Sequence, residues 1–269
     1  MSCSSALAHD HPSARGVTSN NYAVDIAAKI TEQYREFIER NVNIRKKNPL
    51  DIQKYILKCK VTGEKIQLIK KFGRDFSGID FSKMNLTGAP LTKVLLNKAI
   101  FDLADLSEMD LTSSILDNAS MNFADLNNTI LSNASLLNAN LALANLSGTI
   151  LIGANLTGAN LTGANLTGAI IIKTTMKNAN LGLANFSSST IFESNFEKSK
   201  LNAANFLKAK ILYSNFRDTN LYRTYFTRAD LRGTNFKGSN FVEAIIKNSF
   251  VDDEKIDRLA NKLLEHKEK

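Results

Sequence analysis

Large apolar side chains recur at every fifth position of this chain, without interruption, from Phe76 to Ile246. None of these 35 positions is polar. Two residues before each of them the chain tends to place a small side chain, and from Ser114 to Ala244 all 27 such positions are Ala, Ser or Thr. A period of five matches neither a helix, at about 3.6 residues per turn, nor a strand, at about two. The pattern instead predicts a chain that turns a corner every five residues and points one large and one small side chain inward.

Four such sides would close a square coil of twenty residues. A fixed repeat over this length is typical of a solenoid, in which each unit buries its apolar face against its neighbours. Stacked coils that bond backbone to backbone lie ~4.8 Å apart, so about nine coils would form a rod of roughly 40 Å. Because each buried Leu or Phe contributes ~2 kcal/mol, the stack can be stable without a disulfide or a metal.

Three consecutive blocks carry a resemblance to a known family. The residues 154–158, 159–163 and 164–168 each read Ala-Asn-Leu-Thr-Gly, which resembles the A(D/N)LXX repeat of the pentapeptide-repeat proteins. The resemblance covers about two thirds of the chain and implies a mainly β fold, the right-handed quadrilateral β-helix. Members of the family include DNA mimics that bind type II topoisomerases, bacterial effector proteins and regulators that act by protein contact.

The chain is predicted to divide into four parts. Residues 1–20 are polar and without periodicity, as expected for a disordered tail. Residues 21–73 are predicted to be a helical N-terminal segment, 74–250 the pentapeptide-repeat β-helix and 251–269 a C-terminal capping helix. Caps are expected because a stack of coils exposes its core at both ends.

Apolar residues recur at helical spacing ahead of the repeats. Residues 22–40 are predicted to form an amphipathic helix, and Asn48-Pro49 is a favourable start for a second one. Residues 61–72 leave two alternatives, a hairpin or a third helix that ends at Gly73. The second helix would bury an apolar face made by Ile52, Tyr55, Ile56 and Cys59.

Residues 251–267, within the C-terminal segment 251–269, are predicted to form a helix with one apolar stripe. Asp252 and Asp253 stand at its start, where they favour the helix dipole. This helix would cap the last coil; the alternative is dimerisation, which the resemblance also allows.

Residues twenty apart should stack on one face, and this rule predicts an apolar surface. On one wall the outward neighbours of the large residues are apolar over several successive coils, which exceeds the scattered apolar residues of an ordinary surface. The predicted partner-binding residues are Ile130, Ile150, Ile152, Ile170, Ile172, Phe192, Leu212 and Tyr213. The alternative is that the helix at 22–40 covers this surface. A second column, Leu103, Phe123, Leu143 and Leu183, is predicted to be the weaker one.

Charge adds a second candidate surface. The net charge is +8, and ten Lys or Arg lie between Lys198 and Lys247 against three acidic residues. Such a bias favours nucleic acid, anionic membrane or an acidic partner, although a solvated face is the simpler explanation. The candidate anion-binding residues are Lys177, Arg217, Arg223, Arg228 and Lys237.

The same count weighs against DNA mimicry. A rod of ~40 Å would need on the order of twenty acidic groups to copy the phosphates of duplex DNA. Residues 76–250 hold twelve, against fifteen basic residues.

The sequence shows no enzymatic motif. The three histidines lie outside the repeats, and neither a glycine-rich phosphate loop nor a cysteine cluster is present. We therefore expect a non-enzymatic interaction protein, without cofactor or metal, that binds a protein partner or itself. Two distant cysteines and the lack of an apolar signal or span favour the bacterial cytoplasm, with secretion by another route as the alternative.

Overall fold

The computed structural model describes residues 49–62 and 67–252. Helix α1 spans Pro49–Thr62 and helix α2 spans Leu68–Phe72. The repeats follow, and they contain three short strands, β1 (Ile170–Ile172), β2 (Thr190–Phe192) and β3 (Lys210–Leu212). These strands pair in parallel in the order β1-β2-β3.

The helices ahead of the repeats agree with the sequence where they are described. Helix α1 begins at Pro49, and its residues Ile52, Ile56 and Cys59 are buried in the same apolar core as Phe76. Of the two alternatives for 61–72, the structure contains the helix: α2 is followed by Gly73, whose φ of 74° is suited to glycine. The predicted tail at 1–20, the predicted helix at 22–40 and nearly all of the predicted C-terminal helix lie outside the described residues.

Each coil of the repeat contains twenty residues. Bridges join residues twenty apart, as in Asn155↔Thr175 and Thr175↔Asn195, and the strands follow the same register, with Ile171 opposite Ile191. Backbone hydrogen bonds join each coil to its neighbours in the stack. The amide of Leu156, for example, donates to the carbonyl of Thr175 at 2.7 Å. The predicted advance of one side per five residues is therefore confirmed, and the fold is a parallel β-helix.

The corner of each side is a tight turn with a left-handed residue. Typically the amide of the small residue donates to the carbonyl of the preceding large one, as Ala159 does to Leu156 at 3.0 Å. The second residue after every large one, from Gly78 to Asn248, has a φ between 48° and 80°. A turn of this kind requires a positive φ at that place, and no Val, Ile or Thr occupies it anywhere in the repeat.

The Asp or Asn of the repeat occupies the position before each large residue, where its side chain can form hydrogen bonds to the corner and to the next coil. The Asn155 side-chain oxygen accepts from the backbone amide of Thr157 at 3.1 Å and from its hydroxyl at 2.7 Å. The Asn160 amide group also donates to Asn140 in the preceding coil at 2.9 Å. These side chains brace both the corner and the stack, because Asn and Asp readily bond to the backbone two residues ahead.

The large residues fill the interior, and in the last coils every second one is a phenylalanine. Phe206 is stacked on Phe186, with ring centroids 4.7 Å apart, and on Phe226 at 5.1 Å. It meets Phe216 from the opposite wall edge-on at 6.1 Å. The ten-residue spacing of Phe thus creates two facing stacks of rings.

Candidate interaction surfaces

The structure places the eight predicted partner-binding residues together on one wall, which we call the apolar band. Ile130, Ile150 and Ile170 stack through successive bridges. Ile172, opposite Phe192, continues to Leu212 in the register of β1, β2 and β3. The two columns flank the same inward residues, so the band is continuous over several coils.

Side chains at the C-terminal end of the band pack on one another. The Tyr213 ring meets Phe192 edge-on, with centroids 5.8 Å apart. The same ring lies over Gly233 of the next coil, where an added Cβ would come within 2.4 Å of its Cδ1 atom. Tyr213 nevertheless remains well exposed, as do Ile152 and Ile170, while Ile172, Phe192 and Leu212 are half-buried.

The backbone beneath the band is held by hydroxyl groups. The Ser194 hydroxyl donates to the carbonyl of Ile171 at 3.1 Å and accepts from the amide of Thr174 at 3.2 Å. The Ser214 hydroxyl likewise accepts from the amide of Ser194 at 3.1 Å. Because β1, β2 and β3 also lie here, the C-terminal half of the band rests on an extended and well-braced part of the wall.

The second apolar column is more exposed than the band. Leu103, Phe123, Leu143 and Leu183, which we call the apolar ridge, have exposed fractions between 54% and 64%. Each occupies a left-handed corner position, with φ from 56° to 62°, and such a corner holds the side chain away from the wall. The repeat pattern alone does not predict this exposure, because it does not specify the geometry of the corners.

The five candidate anion-binding residues do not form one patch. Lys177, Arg217 and Lys237 lie on one column, since they are separated by multiples of twenty, with Glu197 between the first two. Lys177 pairs with Glu197 at 3.0 Å, and this contact holds the pKa of Glu197 below its ordinary value.

Arg223 and Arg228 lie at two other corners. Arg223 pairs with Glu243 at 2.6 Å, and Tyr222 donates its hydroxyl to the same carboxylate at 3.0 Å. These two contacts, that of Arg223 first, lower the pKa of Glu243. Two of the five cations therefore already face a carboxylate.

Within 49–62 and 67–252, no three side chains of the His, Cys, Asp and Glu types gather as metal ligands would. No helix in that part of the chain has the length and apolar character needed to span a membrane.

Stacked twenty-residue coils with a corner every five residues define a β-helical solenoid built from pentapeptides. The family model for pentapeptide repeats matches in eight copies, at residues 75–112, 104–133, 139–178, 149–187 and 213–248. Because these ranges cover more than half of the chain, the protein belongs to the pentapeptide repeat family. No curated protein matches it.

Several solved structures are similar to this chain. HetL from Nostoc sp. strain PCC 7120, a pentapeptide repeat protein involved in heterocyst differentiation regulation, is 24% identical over 72% of this chain and 92% of its own, with a TM-score of 0.33. Full-length QnrB1, a plasmid-mediated fluoroquinolone resistance protein, is 18% identical over 71% and 95%, with a TM-score of 0.35. Rfr23 from Cyanothece 51142 is 17% identical over 69% and 92%, with a TM-score of 0.17.

Proposed function

We propose that this protein is a non-enzymatic interaction scaffold and that its apolar band binds a protein partner. The observation that supports the proposal most is the stacking of seven apolar residues in two adjacent columns on one braced wall, with Tyr213 beside them. Apolar patches of this continuity are unusual on monomers and are typical of interaction sites. Polar residues lie in the coils at both ends of the band. Asp110 lies one coil before Ile130, and the ion pair of Asp230 and Arg232, at 2.6 Å, lies one coil after Leu212.

The finer features of the proposal follow the family resemblance. We take the β-helix to be right-handed and four-sided, with the division 1–20, 21–73, 74–250 and 251–269. The protein would act in the bacterial cytoplasm as an effector or a regulator, by contact with a protein or with a second copy of itself.

Binding of nucleic acid or anionic membrane has less support. Lys177 and Arg223 are already paired with Glu197 and Glu243, and the five candidate cations are spread over different corners. Mimicry of DNA toward a type II topoisomerase has less support still, because basic residues outnumber acidic ones in the repeats.

The test uses two matched triple variants of the full chain. Ile152→Lys, Ile172→Lys and Phe192→Lys alter the band, while Leu103→Lys, Phe123→Lys and Leu143→Lys alter the ridge. Tagged proteins are exposed to an extract of their source cells, the captured proteins are identified by mass spectrometry, and light scattering reports self-association. Far-UV circular dichroism confirms that each variant is folded.

We expect the band variant to lose its captured partner or its self-association, because central apolar contacts each contribute about 2 kcal/mol or more to binding. The ridge variant should retain it. Equal binding by the band variant and the wild type would refute the proposal, and loss in the ridge variant alone would assign binding to the ridge.

A further inference from the structure

The isoleucine column of the apolar band ends in opposite charges. At one end Asp110 is bridged to Ile130. At the other end Ile170 pairs with Thr190, which in turn pairs with Lys210. Asp110 and Lys210 therefore occupy the same outward place, just before an inward large residue, that the isoleucines hold in the coils between them.

A second charge accompanies the first at each end. Glu108 and Lys208 occupy the left-handed corners two residues ahead of Asp110 and Lys210, with φ of 59° and 57°. All four side chains are exposed, and within residues 49–62 and 67–252 none of them forms an ion pair. We call Glu108 and Asp110 the acidic end of the band, and Lys208 and Lys210 its basic end.

The surface between the two ends carries no net charge. Two charged residues lie on this part of the wall, Lys173 and Glu193, and they pair with one another at 3.7 Å. One coil beyond the basic end, Asp230 is held by Arg232 at 2.6 Å, so this carboxylate is already neutralised. The band is thus an apolar surface with two acidic groups at one end and two basic groups at the other.

The spacing of the two ends makes the band complementary to itself. Asp110 and Lys210 are one hundred residues apart, which is five coils of twenty, or ~24 Å. If a second copy faces this wall with its stack running the opposite way, a two-fold axis between Ile150 and Ile170 brings each acidic end onto a basic end. Ile150 then lies opposite Ile170 of the second copy.

The sizes of the side chains agree with the same alignment. The two-fold relation that pairs Ile152 with Ile172 of the second copy also sets Phe192 opposite Ser132 and Tyr213 opposite Ser113, since each pair is symmetric about the same midpoint. The bulky side chains of one half of the band therefore meet small side chains of the other half. Close packing across an interface requires this kind of match in shape.

We propose that two copies of this chain pair through the apolar band with their stacks antiparallel. This inference rests on the proposed function and names the partner of the same surface. A parallel pair would set the acidic ends beside one another and the basic ends likewise, and such like-charge contacts disfavour it. The antiparallel pair is isologous, so every contact occurs twice.

The contact is small, and the dimer should be weak. Three residues across the wall span at most ~10 Å and five coils span ~24 Å, so each copy contributes on the order of a few hundred Å². A stable complex usually buries ~800 Å² per partner. We therefore expect a reversible dimer at micromolar concentrations whose orientation is set by the charged ends.

The experiment measures the dimer dissociation constant of the full chain by analytical ultracentrifugation over a range of concentrations. The acid-inverted variant carries Glu108→Lys and Asp110→Lys, and the base-inverted variant carries Lys208→Glu and Lys210→Glu. A fourfold variant combines all these changes and exchanges the two ends. Far-UV circular dichroism confirms that each variant is folded.

The matched control carries Lys198→Glu and Lys200→Glu. These exposed lysines hold the same two places in the repeat as Lys208 and Lys210, ten residues earlier, and so lie half a coil away from the band. The control changes the net charge by the same amount as the base-inverted variant, but on another part of the surface.

We expect each inverted variant to raise the dissociation constant at least tenfold, because the symmetry turns four attractive contacts into repulsive ones. The fourfold variant should return to within about threefold of the wild type, since its ends are again opposite in sign. An equimolar mixture of the two inverted variants should form a heterodimer. The control should keep the dissociation constant of the wild type.

A wild-type chain that stays monomeric up to millimolar concentrations would overturn this inference, and capture of a different protein by the band would then leave the proposed function standing. A dimer that the triple change Ile152→Lys, Ile172→Lys and Phe192→Lys abolishes, but the inverted variants do not, would keep the band as the interface and overturn the antiparallel arrangement. Failure of the fourfold variant to restore the dimer would also overturn it. A dimer that survives the triple change lies elsewhere on the rod and would refute the inference.

Discussion

Replacement of Phe206 by Ala is expected to lower the free energy of unfolding by about 4 kcal/mol. The Phe206 side chain is fully buried, and the change leaves a cavity where two stacked rings and one edge-on ring now meet it. A truncated core Phe typically costs about 3–5 kcal/mol, of which each lost ring pair supplies ~0.5–1.5 kcal/mol. Phe206→Leu fills most of that volume and should cost about 1–2 kcal/mol, since it loses mainly the ring contacts.

The matched control is Phe123→Ala, at a side chain that is 58% exposed. Surface truncations usually change stability by about 0.5 kcal/mol or less. Urea unfolding followed by far-UV circular dichroism gives the free energies, and tyrosine fluorescence tests whether the transitions coincide, because repeat arrays can lose cooperativity. A loss under about 1 kcal/mol for Phe206→Ala would refute the proposed origin of the core stability, as would an equal loss for Phe123→Ala.

Two further predictions concern the corners and the ion pairs. Leu143 has a φ of 58°, and a β-branched residue is strained at that angle, so Leu143→Val should lower the free energy of unfolding by about 1–2 kcal/mol. Leu143→Gly should change it by no more than about 0.5 kcal/mol. Equal urea midpoints for the two variants would contradict this prediction. Lys177→Gln should raise the pKa of Glu197 toward its ordinary value, because the Lys177 contact is the main cause of the lowered pKa. The contribution of this pair to stability is present above the ordinary glutamate pKa and is lost as the pH falls through the lowered one. An NMR titration of the Glu197 carboxyl checks the shift, with Lys173→Gln, which alters the pair with Glu193, as the control that leaves it unchanged.

The interior of the rod could be predicted from the sequence because burial acts on it directly. Leu156 and Ala159 face inward, and so do the residues at the equivalent positions of the other coils. The size and apolarity of these positions therefore repeat with the fold. The twenty-residue columns followed from the same spacing, and the register Ile172↔Phe192 confirms the rule.

The corner geometry could not be predicted in this way. Lys83, Asn128, Leu143 and Gly163 share the left-handed corner but no property of size or polarity. The common signal is negative, the lack of β-branched residues, which disfavour a positive φ. For this reason the sequence pattern does not predict the high exposure of the ridge.

A coil of twenty residues with a corner every five constrains how a gene for such a rod can change in length. The three identical blocks at 154–168 follow one another without a break in the repeat. Gain of a single block would turn every later residue by a quarter revolution, so that Phe192 and Leu212 would no longer stand below Ile152. Only changes by a whole coil keep such columns aligned, and selection on any one of them would favour growth in steps of four blocks.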